Sequence, residues 1–221
     1  MIELNNISKS FQDGDKRVNH VLRGLSLQVA NGEFIAIKGA SGAGKTTLLN
    51  VMGTLLKPDS GTYLLNGVDV TASGVNLAEI RNQQIGFVFQ DHRLMPQFNV
   101  LQNILLPTLA FKPSSTGEEI AYAQELMALT NIAGLATQFP ATLSGGEASR
   151  VAVCRALVMK PSVLLADEPT GQLDRENAIN IAQLLADVNK ELHTTIVMAT
   201  HSDEVSSVAD RVLRLSEGKI A

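Results

Sequence analysis

The chain has 221 residues with 22 acidic and 18 basic side chains and a formal net charge of −4, and this length suits one domain with a substantial buried core. This net negative charge gives no electrostatic reason to expect a nucleic-acid partner, since nucleic-acid-binding proteins usually carry a basic patch. A single cysteine, Cys154, excludes an internal disulfide framework, and no stretch reaches the roughly 18 unbroken apolar residues of a membrane-spanning helix.

The first third of the chain is predicted to be mostly β-structure. Its polar N-terminus, MIELNNISKSF, lacks the apolar run of a signal peptide, so we expect a soluble, cytoplasmic protein that reaches a membrane only through a partner. Residues 2–7, 22–29 and 61–68 alternate in polarity between Gly and Asn breaks, as strands of hairpins do. Residues 33–38 form a more continuous apolar strand, and the TTLLNVMGTL that follows has helical spacing.

The middle of the chain, about residues 91–160, is predicted to be a helical lobe. Amphipathic patterns in FNVLQNILLPTLAF and EEIAYAQELMALTNIAGL flank a loop at 112–115, and a third helix is predicted over 147–159. Apolar residues also follow Gln90 closely, and they could form either an exposed patch for a partner or the core of the lobe. These residues are Met95, Pro96, Phe98, Val100, Ile104 and Leu105.

From residue 161 onward, strands and helices alternate again. The strand SVLLAD, a helix over 177–192, the strand TTIVMAT and the strand pair RVLRLSEGKI follow in order, which favours a mostly parallel sheet. We therefore expect one α/β domain over residues 1–221, with a core from 1–90 and 161–221 and the helical lobe inserted at about 91–160.

The sequence GASGAGKT at 39–46 fits the phosphate-binding pattern G-x-x-x-x-G-K-[ST] and lies between a predicted strand and a predicted helix. Backbone N–H groups of such a loop and the start of the helix bind phosphate oxygens. Lys45 would add a full charge at the β- and γ-phosphates, Thr46 would bind Mg²⁺ and Thr47 a further phosphate. A glycine-rich turn with a surface lysine is the alternative. The other loop residues are Gly39, Ala40, Ser41, Gly42, Ala43 and Gly44.

A second part of a nucleotide site follows the buried strand at 163–166 in VLLADE. Because ligands of open parallel sheets bind beyond the carboxyl ends of the strands, Asp167 would hold Mg²⁺, through water, at that edge. Glu168 would polarise the attacking water as a general base. The alternative is a pair of carboxylates that cap the next helix.

LSGGE at 143–147 is a second helix start that could bind an anion, since a Ser-Gly-Gly run leaves free N–H groups and a hydroxyl. One triphosphate does not need two such helix starts from one subunit. The simplest interpretation is that two subunits each contribute half of every site. An ordinary serine-capped helix is the alternative.

The motifs GASGAGKT, FVFQ, LSGGE, VLLADE, TGQLD and ATHS occur in this order, and they resemble those of the ATP-binding cassette subunits of ABC transporters over essentially the whole chain. The resemblance is greatest to the branch that powers lipoprotein release, macrolide export and cell-division complexes. It implies a P-loop NTPase cassette with a RecA-like core, an N-terminal antiparallel β subdomain and an inserted helical lobe. It also implies Mg²⁺-dependent ATP hydrolysis by a head-to-tail homodimer.

The resemblance further implies roles for individual residues. Ser144, Gly145 and Gly146 would bind the γ-phosphate of the opposite subunit, and Asp174 would link the two sites across the dimer. The chain departs from the family pattern after LSGGE, where Ala148 and Ser149 replace two common glutamines, so contacts on the surface of that helix are expected to differ.

Three more residues take roles from the resemblance. Gln90 would contact Mg²⁺ and sense the membrane partner, His201 would contact the γ-phosphate and steady the attacking water, and Phe11 would stack on adenine. Without the family, Gln90 is a polar loop residue, His201 a core or capping histidine at a strand end, and Phe11 a core residue of a strand.

The output that the resemblance implies is transport. A permease would dock on the region after Gln90 and hold the chain on the cytoplasmic face of the membrane, with export or extraction from the membrane as the direction. A cassette that transmits force through a membrane protein to cell-envelope enzymes is an alternative. Action on DNA or ribosomes is disfavoured by the acidic balance, the compact lobe and the single cassette.

Overall fold

The computed structural model describes residues 1–13 and 17–220. In that part of the chain the strands are β1 (Ile2–Asp13), β2 (Arg17–Val29), β3 (Phe34–Lys38), β4 (Ser60–Leu65), β5 (Val68–Asp69), β6 (Ile85–Val88), β7 (Val163–Asp167), β8 (Thr195–Thr200), β9 (Arg211–Ser216) and β10 (Lys219–Ile220). The α-helices are α1 (Lys45–Met52), α2 (Leu77–Gln84), α3 (Val100–Leu105), α4 (Gly117–Leu129), α5 (Gly145–Leu157), α6 (Arg175–Leu192) and α7 (Asp203–Ser206).

A four-stranded antiparallel sheet, ordered β2-β1-β4-β5, holds most of the N-terminal region. Its first hairpin extends well beyond the two predicted segments, and pairs such as Lys9 with Leu22 and Phe11 with Asn19 lie in the added part. Residues 8–12 and 18–20 are exposed or only half-buried. The added part therefore lacks the alternation of buried and polar residues on which the prediction depended.

A six-stranded sheet, ordered β10-β9-β3-β8-β7-β6, forms the centre of the molecule. All neighbouring pairs are parallel except β10 with β9. The registers pair Lys38 with Thr200, Ala199 with Asp167, and Ala166 with Val88. The carboxyl ends of β3, β8, β7 and β6 are therefore side by side, and the loops that follow them converge on one edge of the sheet.

The central sheet is buried on both faces, as parallel sheets are. Along β3, Phe34 and Ala36 belong to one apolar cluster and Ile35 and Ile37 to another, and all four are 0–1% exposed. The first cluster joins the sheet to α3–α6, and the second joins it to α1 and the antiparallel sheet. The edge on which the loops converge is thus fixed by packing on both sides.

Between β6 and β7 the chain forms α3, α4 and α5. The long helix predicted over 98–111 is wrong, because α3 ends at Leu105 and a 3₁₀ turn at Leu106–Leu109 follows it. Pro107 in this turn has no N–H for a helical hydrogen bond.

The apolar residues after Gln90 were predicted to form either an exposed patch for a partner or the core of the helical lobe, and the structure shows some of each. Val100, Ile104 and Leu105 are buried in the core, Phe98 is half-buried, and Met95 and Pro96 are exposed.

Cys154 lies on α5 and is fully buried. The Thr130 hydroxyl is 3.1 Å from its Sγ, and burial raises the pKa of the thiol to about 12. A structural role for this cysteine follows.

In the described part of the chain, no helix combines the length and the apolar character that crossing a membrane requires.

Candidate nucleotide-binding site

A cleft of about 720 Å³ opens at the edge where β3, β8, β7 and β6 end. Its volume lies within the range that small-molecule sites usually have. Residues from the N-terminal hairpin, the glycine-rich loop and the three other strand ends line it. They are Phe11, Val21, Ser41, Gly42, Gly44, Lys45, Thr46, Thr47, Gln90, Glu168 and His201.

The glycine-rich loop joins β3 directly to α1, which begins at Lys45. Gly44 has a φ of 101°, and a Cβ there would lie 2.9 Å from Val21 Cγ1. A Cβ at Gly39 would lie 2.6 Å from the Leu215 carbonyl oxygen. Only glycine fits these two positions. The backbone can therefore pack tightly against its neighbours while α1 points its free N–H groups into the cleft.

Lys45 is the cation of this loop, and it is only 8% exposed. Its ammonium donates to the carbonyl oxygens of Gly39 (2.8 Å) and Ala40 (3.3 Å). It also lies 3.3 Å from Glu168 Oε1. The charge is thus positioned between the loop and the end of β7, where phosphate oxygens in the cleft would compete for it.

Asp167 ends β7 with its carboxylate turned inward. Burial raises the pKa of Asp167 and the Glu168 carboxylate raises it further, whereas contact with Thr46 and the charge of Lys45 lower it. Among the described residues, its Oδ1 is the one buried side-chain oxygen or nitrogen without a hydrogen-bond partner. A divalent cation would satisfy this oxygen and stabilise the charged carboxylate.

Asp167 and Thr46 together fit Mg²⁺, which prefers oxygen ligands. Among the described residues, no group of three or more His, Cys, Asp or Glu side chains is placed to bind a metal ion. Nucleotide-bound Mg²⁺ does not need one, because phosphates and water complete its coordination.

Glu168 follows Asp167 in a left-handed conformation, with a φ of 47°. L-residues other than Asn and Asp seldom adopt this conformation, and it is concentrated at functional sites. Its N–H donates to the Ala199 carbonyl at 3.0 Å, and its Oε2 lies 2.9 Å from His201 Nδ1. The carboxylate is therefore held between the Lys45 ammonium and the His201 ring, and both side chains line the cleft.

Gln90 and Phe11 also line the cleft. Gln90 is exposed, and a Cβ at Gly171 would lie 3.0 Å from its Nε2. Phe11 is 42% exposed, with the Lys9 ammonium 5.7 Å from its ring centre. Phe11 is thus not a core residue, and its ring is available for stacking.

The signature sequence LSGGE is on another surface. Ser144 caps α5, where its N–H and hydroxyl both donate to Glu147 Oε2 at 2.7 Å. These bonds hold the pKa of Glu147 below its usual range. Ser144, Gly145 and Gly146 do not line the cleft. The phosphate-binding groups that the sequence predicts are therefore divided between two surfaces.

Asp174 lies close to the signature sequence. It caps α6 by accepting from the backbone and side-chain amides of Asn177, at 2.9 and 2.6 Å, and these bonds lower its pKa. A Cβ at Gly146 would lie 3.2 Å from Asn177 Oδ1, and one at Gly145 would lie 3.0 Å from Leu173 Cδ2. The starts of α5 and α6 thus form one surface, and Asp174 is outside the cleft as well.

The comparisons with known proteins decide the family. Residues 22–171 match the family described as ABC transporter. This chain belongs to the ABC transporter family. The match spans the phosphate loop, Gln90, the signature sequence and the end of β7, so the resemblance drawn from the six motifs is confirmed.

ABC transporter relatives match the chain over its full length. It is 42% identical to the lipoprotein-releasing system ATP-binding protein LolD of Geobacter metallireducens, covering 100% of this chain and 97% of that protein. It is also 42% identical to the macrolide export ATP-binding/permease protein MacB of Rhodopirellula baltica, covering 100% of this chain but 32% of that protein. The chain is therefore an ABC transporter ATP-binding subunit.

Solved structures agree with this assignment. The dimeric structure of MJ0796, described as a bacterial ABC transporter cassette, superposes with a TM-score of 0.89 at 36% identity and covers 100% of this chain and 96% of that one. A dimeric post-hydrolysis state of MJ0796 bound to ADP and Pi has the same TM-score at 35% identity, with the same coverage. The predictions of an α/β ABC cassette and of an ATPase are confirmed.

Not every residue of the cleft was predicted. Val21 lines it and contacts Gly44, but it lies in the part of the hairpin that the sequence pattern did not identify as a strand. The close approach of Gly171 to Gln90 was also not predicted. The sequence feature that could have indicated this approach is the glycine in TGQLD, Gly171, which follows Asp167 by four residues.

Proposed function

We propose that two copies of this ABC subunit bind two ATP molecules head to tail, hydrolyse them with Mg²⁺ and drive a membrane permease. The observation that carries this proposal is the division of phosphate-binding groups between the cleft and the exposed start of α5. Within one subunit the two sets of groups lie on different surfaces, whereas two antiparallel subunits would bring them together at one triphosphate. The MJ0796 cassettes, whose structures are described as dimeric, support a dimer.

In each site the loop amides of residues 39–44 and the Lys45 ammonium would bind the β- and γ-phosphates, with Thr47 on a further phosphate. Asp167, Thr46 and Gln90 would hold Mg²⁺ directly or through water. When bound, Mg²⁺ neutralises charge on the phosphate oxygens. Phe11 would stack on the adenine ring.

The reaction depends on Glu168 and His201. Glu168 would accept a hydrogen bond from the attacking water and polarise it, and Lys45 and His201 hold its carboxylate in place at 3.3 and 2.9 Å. His201 would also contact the γ-phosphate. Ser144, Gly145 and Gly146 of the other subunit would close on that phosphate, and Asp174 would link the two sites. Loss of the γ-phosphate contact then opens the dimer.

We further propose that the partner belongs to a lipoprotein-releasing type of transporter and that the subunit is cytoplasmic, on the membrane face, through this partner. Support comes from the full-length similarity to LolD. The chain would act as one cassette domain with a core at 1–90 and 161–221 and the lobe at about 91–160. Exposed Met95 and Pro96 would contribute to the permease contact after Gln90.

The test uses Glu168→Gln, which removes the general base but keeps the size of the side chain. We expect ATP binding to persist, hydrolysis to fall by roughly 10²–10⁴-fold, and an ATP-dependent dimer to appear in sizing chromatography. Glu191→Gln, at an exposed position near the end of α6, is the matched control. A variant that stays monomeric with ATP and hydrolyses it at the wild-type rate would contradict the proposal.

The same variant identifies the partner. Tagged Glu168→Gln protein with ATP and Mg²⁺ is expected to retain a stoichiometric integral membrane permease from solubilised native membranes, detected by mass spectrometry. Recovery of ribosomal or DNA-bound proteins without a permease would overturn the transport role, while the ATPase chemistry would stand.

A further inference from the structure

The segment directly after Gln90 has an unusual backbone. His92 and Arg93 both adopt left-handed conformations, with φ values of 56° and 48°. Two such residues in succession are unfavourable for L-amino acids, and they persist only where the surroundings fix them. Local hydrogen bonds, from the His92 N–H to Phe89 and from the Arg93 N–H to Asp91, complete this tight turn.

Two side chains of α5 hold the turn. The Arg155 guanidinium donates to the carbonyl oxygens of His92 and Arg93, the latter at 2.6 Å. Ser149 Oγ lies 2.7 Å from His92 Nε2. Ser149 is fully buried, and Arg155 is half-buried. Three hydrogen bonds therefore join one turn of the loop to one helix.

The helix that makes these bonds is the helix that Ser144 caps. This helix is also packed in the core through Val151, Ala152 and Cys154. Residues 144–157 therefore move as a unit. At the other end of the turn, Gln90 lines the cleft. The turn and α5 thus form a continuous, hydrogen-bonded connection between the cleft and the signature surface.

We propose that Ser149 and Arg155 are positioning residues, which set the place of Gln90 and make the signature end of α5 follow it. The proposal rests on the proposed function, in which Gln90 contacts Mg²⁺ and Ser144 completes the site of the other subunit. These two residues would affect turnover by positioning Gln90 and the start of α5, without contacting the nucleotide.

The first test is a double-mutant cycle on the Ser149–His92 contact. Ser149→Ala and His92→Leu each remove the contact, and each is expected to lower kcat by about five- to tenfold with KM within about twofold, because the phosphate loop and Lys45 stay in place while Gln90 is displaced. The double variant is expected to be no slower than either single variant. His92→Gln, whose amide can still reach Ser149, should retain most of the wild-type kcat.

Thr130→Val is the matched control, since it removes another fully buried hydroxyl of the same lobe that bonds within α4 and to Cys154. A loss of kcat as large in Thr130→Val, or additive losses in the double variant, would show a general effect of lobe stability and would overturn the proposal.

A second measurement does not depend on activity. Hydrogen exchange of the amides at 91–93, without nucleotide, should be faster in Ser149→Ala and unchanged in Thr130→Val. Faster exchange with an unchanged kcat would overturn the positioning role and leave the ATPase function intact. A wild-type protein that does not hydrolyse ATP would overturn the proposed function itself.

Discussion

The nucleotide cleft and the signature surface would bind phosphate by similar chemistry, but they are built in different ways. Four neighbouring strand ends form the cleft, and two apolar clusters fix them from both faces of the sheet. The signature surface consists of two exposed helix starts, at Ser144 and Asp174, whose polar groups bond to residues of their own helices. We therefore expect the cleft to bind a nucleotide without a second subunit, and we expect the signature surface to need a ligand that displaces its internal bonds.

The largest effect that would test this comparison is expected from Lys45→Ala. Removing the ammonium deletes charge-assisted hydrogen bonds to phosphate, each contributing about 1.5–3 kcal/mol, and it leaves Glu168 without the cation that lies 3.3 Å away. ATP affinity should fall by roughly a hundredfold or more in titration calorimetry, and hydrolysis should be lost. Lys57→Ala, an exposed lysine outside the cleft, is the control. Unchanged affinity in Lys45→Ala would mean that the loop does not bind the phosphates.

Ser144→Arg sharpens the comparison, because it alters only the signature surface. The long cation would block the approach of a second subunit, so we expect ATP-dependent dimerisation and hydrolysis to be lost. Binding to dilute monomer should stay within about twofold of wild type, since Ser144 does not line the cleft. Ser144→Thr, which keeps a capping hydroxyl, serves as the control. If Ser144→Arg weakens binding to the monomer, the signature sequence acts within its own subunit.

The smallest effect concerns the internal bonds of the signature surface. Bonds from Ser144 lower the pKa of Glu147, so its charged form stabilises the folded state above the ordinary carboxylate pKa. This contribution is lost as the pH falls below the ordinary glutamate pKa of about 4.3 and through the lowered value. Glu147→Gln should flatten the pH dependence of the unfolding free energy in this window by less than about 1 kcal/mol.

Chemical denaturation at several pH values measures this change. The control is Glu125→Gln, at an exposed position within α4. An equal flattening in Glu125→Gln would show that the effect reflects net charge and is not a property of the cap at α5.

The parts of the site that were predicted from the sequence depend on short-range patterns. The spacing of Gly39, Gly44 and Lys45 encodes a strand, a tight loop and a helix start within eight residues. Asp167 follows an unbroken apolar strand, and the parallel topology then brings it to the same edge. The division of the phosphate-binding groups could be predicted for the same reason, because Ser144 also begins a helix.

The parts that were not predicted depend on exposure or on distant contacts. The outer half of the β1–β2 hairpin has no buried face, and α2 has no buried residue, so neither shows a clear hydrophobic period. Pro107 is a residue that ends helices, but the apolar run around it favoured the single helix predicted over 98–111. The contacts of Arg155 with His92 and Arg93 join residues more than 60 positions apart, and no local pattern encodes them.

The burial of Cys154 has a consequence for the reactivity of the whole chain. Burial raises the pKa of this thiol to about 12, so very little of it is ionised at neutral pH, and the thiolate is the nucleophile in alkylation and disulfide exchange. Since Cys154 is the sole cysteine, the native protein should be inert to maleimides and oxidants while it stays folded. Cysteines introduced on the cleft and on the signature surface would then be labelled selectively, and the distance between the two surfaces could be followed through turnover on an otherwise unmodified chain.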